Sequence, residues 1–392
     1  MTPSARLQAA IELLDEIIVA ARDDGASADN IIKKFFKARR YAGSKDRRAV
    51  RELVYQAIRR FGDRPVTGRS AMVGLLEDRP ELAELFDGSS YGPPKLAGDE
   101  EAAGGGMIPA WLLEKFAEPV DADGRQALLG RAELDIRLYP DKANRETLLN
   151  HWPEVQELPL ENAFRLPAGT QVENSVPYNS GQVEIQDLGS QAIVSACIPH
   201  APKLALDMCA GAGGKTLALA VGLTEDARII AADTDKRRLG RLAPRQQRSG
   251  IGNIETLLLD PGKEDQALAP FTGQCDLVLI DAPCSGTGTW RRNPELRWRM
   301  TPERLERTVK LQGRLLELGS RMVAPGGRLV YAVCSLLDDE GASQTGRFLG
   351  KHSDWQHIEV DLPLGRPYRK GTLLSPYQDG TDGFYFTCLE KL

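Results

Sequence analysis

The stretch CDLVLIDAPCSGTGTWRR, residues 275–292, decides how the rest of the chain is interpreted. Its apolar residues 277–280 end at Asp281, and a turn of small residues around Cys284 follows. Such a run is typical of a parallel strand buried on both faces, which would deliver a carboxylate and a thiol to the edge of a sheet. The glycines allow a ligand to approach closely, and the arginines favour an anionic one. A strand end with a buried structural thiol fits the same residues, so the neighbouring segments must distinguish the two.

The composition restricts the class of protein. The chain has 392 residues, of which 42% are hydrophobic, and this length predicts about two to three domains with substantial cores. No apolar run reaches the roughly 18 residues of a membrane helix, and the start has no signal-peptide pattern, so we expect a cytoplasmic protein without membrane contacts. Six widely spaced cysteines without a C-x-x-C pair, with only four histidines, support neither a disulfide framework nor a metal site.

Positive charge is concentrated near the N-terminus, although the formal net charge is −5. Between residues 31 and 69, thirteen lysines and arginines stand against three acids. Apolar residues at helical spacing over 7–21 and 47–61 predict a small helical module that carries this charge. The module could bind a phosphate backbone, and a solvated helical face explains the charge equally well.

Three domains are predicted along the chain. A helical domain with its linker takes residues 1–125, a small α+β domain takes 126–180, and an α/β domain takes 181–392. In the last range, apolar strands alternate with helices; the strands are predicted at 203–208, 228–233, 254–259, 276–281, 327–333 and 383–389. This alternation predicts a doubly wound parallel sheet, which binds ligands beyond the C-terminal ends of its strands.

A glycine loop follows the first strand of that sheet, in LDMCAGAGGKT at 206–216. A P-loop would need glycine where Cys209 stands, and a dinucleotide fingerprint starting at Gly211 would need glycine in place of Thr216. The pattern acid-x-small-x-Gly-x-Gly that begins at Asp207 is the turn by which methyltransferases bring backbone against S-adenosylmethionine. Short glycine loops are also common as purely conformational features, so the loop alone does not decide.

An acid stands at the end of each of the next three strands. Asp233 suits the vicinal hydroxyls of a ribose, because a carboxylate accepts hydrogen bonds in pairs. Asp260 suits the adenine amino group, and Asp281 ends the fourth strand. Acids at strand ends also cap the following helices, but three of them around one glycine loop favour S-adenosylmethionine.

Two thiols, Cys284 and Cys334, follow the fourth and fifth strands, so both could face one pocket. Cytosine C5 is a poor nucleophile, and a thiolate that adds at C6 would push electron density onto C5 for attack on the sulfonium methyl. The second thiol could assist removal of the C5 proton and expulsion of the first. Asp281 could stabilise the adduct at the N3/N4 edge, provided that it is protonated when it donates to N3. These residues alone do not say which thiol attacks.

Five segments together resemble the RsmB/Sun-type family of ribosomal RNA cytosine-5 methyltransferases. They are CAGAGGKT (209–216), DAPCSGTG (281–288), RRNPELRW (291–298), GGRLVYAVCS (326–335) and DGFYF (382–386). IQDLGSQ (185–191) and DRRAVRELVYQAIRR (46–60) extend the likeness forward, the latter to a NusB-like helical RNA-binding domain. The resemblance implies a class I, Rossmann-like methyltransferase domain with S-adenosylmethionine as cofactor and 16S-type ribosomal RNA as substrate. We expect a monomer.

The resemblance also assigns roles to residues. It implies that Cys334 is the nucleophile, that Cys284 helps to release the product, and that Asp233, Asp260 and Asp281 complete the cofactor site. The implied cofactor loop consists of Cys209, Ala210, Gly211, Ala212, Gly213, Gly214 and Lys215. The chain departs from the family pattern where Gly211 and Ala212 replace the usual Ala-Pro, where Val333 replaces a common Thr, and where Tyr139 replaces the usual Asn.

Three arginines are predicted to contact substrate RNA. Arg137 matches an arginine of the family's RNA-facing small domain, and Arg291 and Arg292 follow the Cys284 turn. Further along this segment stand Arg297 and Arg299, with Trp290 and Trp298 interleaved. Arginines that clamp phosphates beside an aromatic that stacks on a base suit single-stranded RNA and base flipping. A surface segment with its tryptophans in the core is the alternative.

Two alternatives to a ribosomal RNA methyltransferase stay open. A tRNA methyltransferase would use the same chemistry, so only its substrate would differ. A non-catalytic RNA-binding assembly factor would require damaged chemistry, whereas the expected acids and both thiols are present.

Overall fold

The computed structural model describes residues 1–198, 201–224 and 226–392. They form two compact units, here called the first and the second unit. The first unit combines Met1–Phe116 with Thr289–Pro302, and the second combines Ala117–Gly288 with Glu303–Leu392. The segment that follows the Cys284 turn therefore belongs to the first unit. The division into three domains at residues 125 and 180 stays a prediction.

The helices and strands follow in chain order. The α-helices are α1 (Pro3–Arg22), α2 (Ala28–Ala38), α3 (Ser44–Arg60), α4 (Gly68–Gly74), α5 (Ala122–Ala127), α6 (Arg145–His151), α7 (Val176–Asn179), α8 (Leu188–Cys197), α9 (Gly214–Gly222), α10 (Lys236–Leu239), α11 (Leu242–Ser249), α12 (Glu264–Leu268), α13 (Leu296–Arg299), α14 (Pro302–Met322), α15 (Ala342–Lys351) and α16 (Pro376–Asp379). The strands are β1 (Leu134–Leu138), β2 (Gln156–Glu157), β3 (Ala163–Leu166), β4 (Val183–Ile185), β5 (Leu204–Asp207), β6 (Arg228–Asp233), β7 (Ile254–Leu258), β8 (Cys275–Asp281), β9 (Val323–Val333), β10 (Trp355–Ile358), β11 (Arg366–Pro367), β12 (Thr372–Leu374) and β13 (Phe384–Lys391).

Helices build the first unit. Helix α1 begins behind Thr2, whose hydroxyl accepts from the Ala5 amide at 3.2 Å, and Pro3 occupies its first turn, where no amide hydrogen is needed. Its apolar side packs with α2, α3 and α4 in one core that includes Leu7, Leu14 and Ile58. The sequence PAWLLEKF at 109–116, with Pro109 near its first turn, predicts a helix. The structure forms a single 3₁₀ segment there, Ala110–Lys115.

The segment Thr289–Pro302 contributes side chains to this helical core rather than to a surface. Trp290 and Trp298 are fully buried, and the Trp298 Nε1 donates to the Phe61 carbonyl at 2.9 Å. Arg297 is buried as well, and its Nη2 donates to the Ile58 carbonyl at the end of α3 at 2.7 Å. The expectation that this segment offers an aromatic for base stacking is wrong for both tryptophans, because their rings are enclosed by the core.

A small antiparallel sheet lies at the start of the second unit. Its strand order is β2-β3-β1-β4, and β1 pairs with both β3 and β4. It has its own apolar cluster, which includes Ile136, Phe164 and Val183. In the sequence, the apolar residues Leu134, Ile136 and Leu138 alternate with polar ones, which is typical of a strand. They lie in β1.

The large sheet of the second unit has the strand order β11-β12-β13-β9-β8-β5-β6-β7, with β10 beside β13. Strands β5 to β9 are parallel, and β13 runs antiparallel to β9. The parallel part has the order 3-2-1-4-5 of a doubly wound fold, and the strand order reverses between β5 and β8, where such folds bind ligands. The predicted Rossmann-like fold and all six strands predicted from residue 203 onward are confirmed.

One predicted helix of this sheet differs. The sequence pattern predicts one helix over 235–248, and the structure forms two short helices there, α10 and α11. Pro244 has no amide hydrogen for a continuous helix, but it is tolerated in the first turn of α11, so the chain breaks at Gly240 and Arg241 and restarts.

Candidate active site

The glycine loop between β5 and α9 turns through left-handed backbone. Gly211 has φ +55° and Gly213 has φ +81°, a region that side chains other than glycine rarely adopt. A Cβ at Gly213 would lie 2.2 Å from the Leu242 Cδ1, and a Cβ at Gly211 would lie 2.6 Å from the Arg238 Nη2. Both glycines therefore let the loop turn tightly against the side chains of Arg238 and Leu242, which shapes its main chain into a cradle.

Four hydrogen bonds hold this loop. The Gly211 amide donates to Asp233 Oδ2 at 2.7 Å, and the Ala210 amide donates to the Ala232 carbonyl at 3.0 Å. Arg245 Nη1 donates to the Ala212 carbonyl at 2.5 Å, and Gln186 Nε2 donates to the Gly214 carbonyl at 3.3 Å. Arg245 and Gln186 were missed in the sequence as loop supports. Gln186 lies in the segment IQDLGSQ that resembles the family, which was the one available signal.

The predicted cofactor acids lie in different environments. Asp233 is buried, and its Oδ1 accepts from the Asp235 amide at 2.7 Å. With one hydrogen bond to each oxygen, the carboxylate still has lone pairs for a hydroxyl pair. Asp260 is exposed just beyond β7. Asp207, the first acid of the loop pattern, is buried and accepts from the Thr216 hydroxyl at 2.7 Å; its burial raises the pKa to about 7.

Lys215 and Asp281 form an ion pair at the C-terminal end of the sheet. The Lys215 Nζ lies 2.7 Å from Asp281 Oδ2 and 3.4 Å from the Ser190 Oγ. Burial lowers the pKa of Lys215, but the charge and hydrogen bond of Asp281 outweigh this effect and raise it overall. Cys209, at the loop's start, is half-buried, and desolvation raises the pKa of its thiol.

The structure brings the two predicted catalytic cysteines into contact. Their Sγ atoms are 3.2 Å apart, and both residues are half-buried. The adjacent strands β8 and β9 place them there: Asp281 is the register partner of Ala332, and the Gly288 amide donates to the Cys334 carbonyl at 3.1 Å. The hydrogen bond to Cys334 and burial raise the pKa of Cys284, so Cys284 retains its proton at neutral pH.

The predicted RNA contacts belong to different units. Arg137 is buried in the second unit, where its Nε donates to Gln186 Oε1 at 2.9 Å and its guanidinium lies 4.7 Å from the Tyr139 ring centre. Through Gln186 it connects to the glycine loop. Arg291 is buried and Arg292 exposed, and both belong to the segment of the first unit.

The described residues contain neither a metal-binding cluster nor a membrane-spanning helix. No group of three or more His, Cys, Asp or Glu side chains within residues 1–198, 201–224 and 226–392 is arranged to hold a metal ion. Within the same ranges, no helix is both long and apolar enough to cross a membrane.

A doubly wound sheet with a glycine loop after its first strand and an acid after its second is typical of the class I S-adenosylmethionine-dependent methyltransferases, and the loop lacks the third glycine of a dinucleotide fingerprint, where Thr216 stands. A family model for 16S rRNA methyltransferase RsmB/F matches residues 195–390. This chain belongs to that family, so it is an S-adenosylmethionine-dependent RNA methyltransferase, and S-adenosylmethionine is its cofactor.

Individual relatives agree with the family. The chain is 32% identical over 302 residues to the probable ribosomal RNA small subunit methyltransferase B of Synechocystis sp., covering 72% of this chain and 67% of that protein. It is 29% identical over 420 residues to ribosomal RNA small subunit methyltransferase B of Erwinia tasmaniensis, covering 94% and 95%. The crystal structure of PH0851 superposes with a TM-score of 0.76 at 22% identity, covering 100% and 99%, and thus shows the same fold.

Proposed function

We propose that this protein methylates C5 of a cytosine in small-subunit ribosomal RNA through a covalent bond between Cys334 and C6 of the base. The observation that carries the proposal is the pair of sulfur atoms 3.2 Å apart at the C-terminal edge of the sheet. The names of its relatives, which are ribosomal RNA small subunit methyltransferases, support the substrate.

Cys334 is the nucleophile in this proposal. Its thiolate forms the bond to C6, and the electron pair of the C5–C6 double bond makes C5 reactive towards a methyl group. The family resemblance of the segments around Cys284 and Cys334 supports this division of labour, and the direct contact of the two sulfur atoms puts both within reach of one base. After methylation the C5 proton must leave, the double bond reforms, and the sulfur–C6 bond breaks. Cys284 first gives its own proton to water, and its thiolate then takes the proton from C5.

Asp281 recognises the base in this proposal. An aspartate paired with the Lys215 ammonium at 2.7 Å is suited to accept hydrogen bonds. Cytosine presents a donor at its N4 amino group, and a carboxylate is the natural acceptor for it. We therefore place the Asp281 contact at N4 rather than at N3.

The cofactor residues fit S-adenosylmethionine, which supplies an electrophilic methyl group when bound. At Gly211 and Gly213 the loop turns through positive φ and packs against Arg238 and Leu242, and we propose that its main-chain atoms face the cofactor. Asp233 is held by backbone donors and keeps lone pairs for ribose hydroxyls. We propose the loop from Cys209 to Lys215, with Asp233, Asp260 and Asp281, as the cofactor site.

A trapping experiment tests the two cysteine roles. We expect Cys284→Ala to accumulate an RNA–protein adduct that survives a denaturing gel, because release is blocked after the bond to C6 has formed. Cys334→Ala should form none. An adduct trapped by Cys334→Ala instead would reverse the roles, and no adduct with either variant would contradict the covalent route.

Substrate profiling tests the RNA. Bisulfite sequencing of small-subunit ribosomal RNA from a strain that lacks the protein should reveal one unmodified cytosine, restored by the wild-type gene and not by Cys334→Ala. Loss of a tRNA site instead would contradict the proposed substrate. The RNA contacts of Arg137, Arg291 and Arg292 remain proposals, and charge-removing substitutions there should weaken RNA binding with reduced salt dependence.

A further inference from the structure

A carboxylate lies buried behind the two cysteines. Glu340, in the turn before α15, has an exposed fraction of 0%. Its Oε1 accepts from the Ser285 amide at 2.8 Å and from Gln312 Nε2 at 3.0 Å. Its Oε2 accepts from the Ser335 Oγ at 2.5 Å and from the Ser285 Oγ. Each of these donors is uncharged. Together, the four hydrogen bonds compensate for the free energy of removing the carboxylate from water.

The donors come from both cysteine turns. Ser285 directly follows Cys284 after β8, and Ser335 directly follows Cys334 after β9. The two serine hydroxyls are also 3.2 Å from each other. One side chain therefore connects the residues next to both sulfur atoms.

Further contacts make this connection rigid. Gln312, on α14, also donates to the Pro283 carbonyl at 2.9 Å, on the other side of Cys284. The Tyr331 hydroxyl donates to the Glu340 carbonyl at 2.6 Å, which holds the Glu340 backbone against β9. Helix α14 and strand β9 thus fix the carboxylate, and the carboxylate fixes the cysteine turns.

We propose that Glu340 is a positioning residue that holds the Cys284 and Cys334 turns together, so that the two sulfur atoms remain within hydrogen-bond distance. Its consequence for catalysis rests on the proposed function, because only the covalent route requires both sulfurs at one base. Reacting groups must be held to within about 0.5 Å of their productive geometry, and a misplacement of about 1 Å can cost about a hundredfold in rate.

A cross-linking experiment tests the positioning without RNA. Diamide oxidises two adjacent thiols to a disulfide and takes up their two electrons and two protons. In the full-length wild-type protein we expect rapid formation of a Cys284–Cys334 disulfide, measured by peptide mapping under non-reducing conditions. With Glu340→Gln we expect about tenfold slower formation, because one of the two acceptor oxygens that hold the turns becomes an amide donor.

The direction of this change separates positioning from electrostatics. The Glu340 charge contributes to the raised pKa of Cys284, so its removal alone would increase the thiolate fraction and accelerate oxidation. Slower oxidation therefore supports positioning, and an unchanged or faster rate overturns it. Glu264→Gln is the matched control. Glu264 is a carboxylate of the second unit whose side chain is 3% exposed and pairs with Arg314, and its substitution should leave the oxidation rate unchanged.

A second measurement tests the consequence for catalysis. In a Cys284→Ala background, adding Glu340→Gln should slow adduct formation about a hundredfold while S-adenosylmethionine affinity, measured by calorimetry, stays within twofold. An adduct at an unchanged rate overturns the inference. If Cys284→Ala itself forms no adduct, the proposed function fails, and the oxidation result still decides the positioning role.

A milder variant covers loss of folding. If Glu340→Gln has no cooperative thermal transition, Ser335→Ala replaces it in both assays, because it removes one donor and introduces no charge. Slower disulfide formation in Ser335→Ala supports the bridge, and a wild-type rate overturns it.

Discussion

The stretch 275–292 is divided between the two units: its first part contributes to the candidate site, and its second part contributes to a core. Up to Gly288 the chain belongs to the large sheet, and Asp281 and Cys284 remain half-buried at its edge. From Thr289 the chain belongs to the helical unit, where Trp290 and Trp298 are fully buried. Cys284, which could have been a buried structural thiol, contacts a second thiol, Cys334. The two tryptophans, which are typical of RNA contacts, are buried instead. The burial and the contacts of each side chain, rather than its residue type, therefore distinguish a functional residue from a structural one.

Arg297 illustrates this difference. Its guanidinium donates to the carbonyls of Ile58, Arg59, Met107 and Pro294. Carbonyls at the end of a helix have no partner within the helix, and a cation there is favourable. Burial lowers the pKa of Arg297 to about 9, so the group remains protonated at neutral pH. Four of its five N–H groups donate to carbonyls, so the arginine completes a helix end inside the core.

The largest expected effect is on the catalytic side. Cys334→Ala should reduce methyl transfer by at least about a thousandfold, because the nucleophile is lost. Its thermal midpoint should stay close to that of the wild type, since the side chain is small and half-buried. The measurement is single-turnover transfer of labelled methyl groups to RNA, with scanning calorimetry beside it. Residual transfer within tenfold of wild type would contradict a covalent route.

Substitutions in the helical core should lower the free energy of unfolding. Trp298→Ala should destabilise the protein by about 3–5 kcal/mol, because it leaves a cavity in the helical core and removes the hydrogen bond to Phe61. Urea unfolding followed by circular dichroism measures this loss. Arg292→Ala, an exposed neighbour in the same segment, is the control and should change stability by less than about 0.5 kcal/mol. Equal effects of the two substitutions would refute the scaffold role.

The glycine cradle predicts a smaller effect on cofactor binding. Gly213→Ala should weaken S-adenosylmethionine binding by roughly ten- to a hundredfold, because its φ of +81° and the nearby Leu242 both oppose a Cβ. Gly346→Ala, in α15 with open space around its Cβ position, is the control. Calorimetric titration measures both. An unchanged affinity of Gly213→Ala would show that the loop adapts.

The smallest predicted effect is a pH dependence of product release. Cys284 must lose its proton before it can accept the proton from C5, and its pKa is raised above the ordinary thiol value. Below that pKa the thiolate fraction rises with pH, so adduct breakdown should accelerate by up to about tenfold per pH unit. Chasing a preformed adduct at pH 7, 8 and 9 measures the rate. A rate that falls with pH would exclude Cys284 as the proton acceptor.

Local sequence patterns were sufficient for the sheet. The apolar run before Asp281 predicted β8, and similar runs before Asp233 and Asp260 predicted β6 and β7. Such runs identify β6 and β8, which are buried along nearly their whole length, because strands covered on both faces need apolar side chains at every position, whereas β7 at the sheet edge is mostly exposed. The break between α10 and α11 was missed, although Pro244 offered a signal.

The supports of the site were not predictable in the same way. Glu340 lies 55 residues from Ser285, and Gln186 lies 28 residues from Gly214. A buried carboxylate or amide has no local periodicity that names its partner, since the partner is set by how strands and helices pack. The burial of Arg297 was missed for the same reason, whereas the sequence left the burial of Trp298 open as one of two alternatives.

By itself, the sequence determined the order of strands and helices, the glycine cradle and the presence of both thiols. These follow from short-range physics: apolar periodicity, the backbone freedom of glycine, and thiol chemistry. Only the tertiary structure decided that Cys284 and Cys334 touch, that Glu340 joins their turns, and that the tryptophans beyond Gly288 belong to a core. Those outcomes depend on contacts between residues far apart in the chain, because a buried polar group must find its partner wherever the fold brings one.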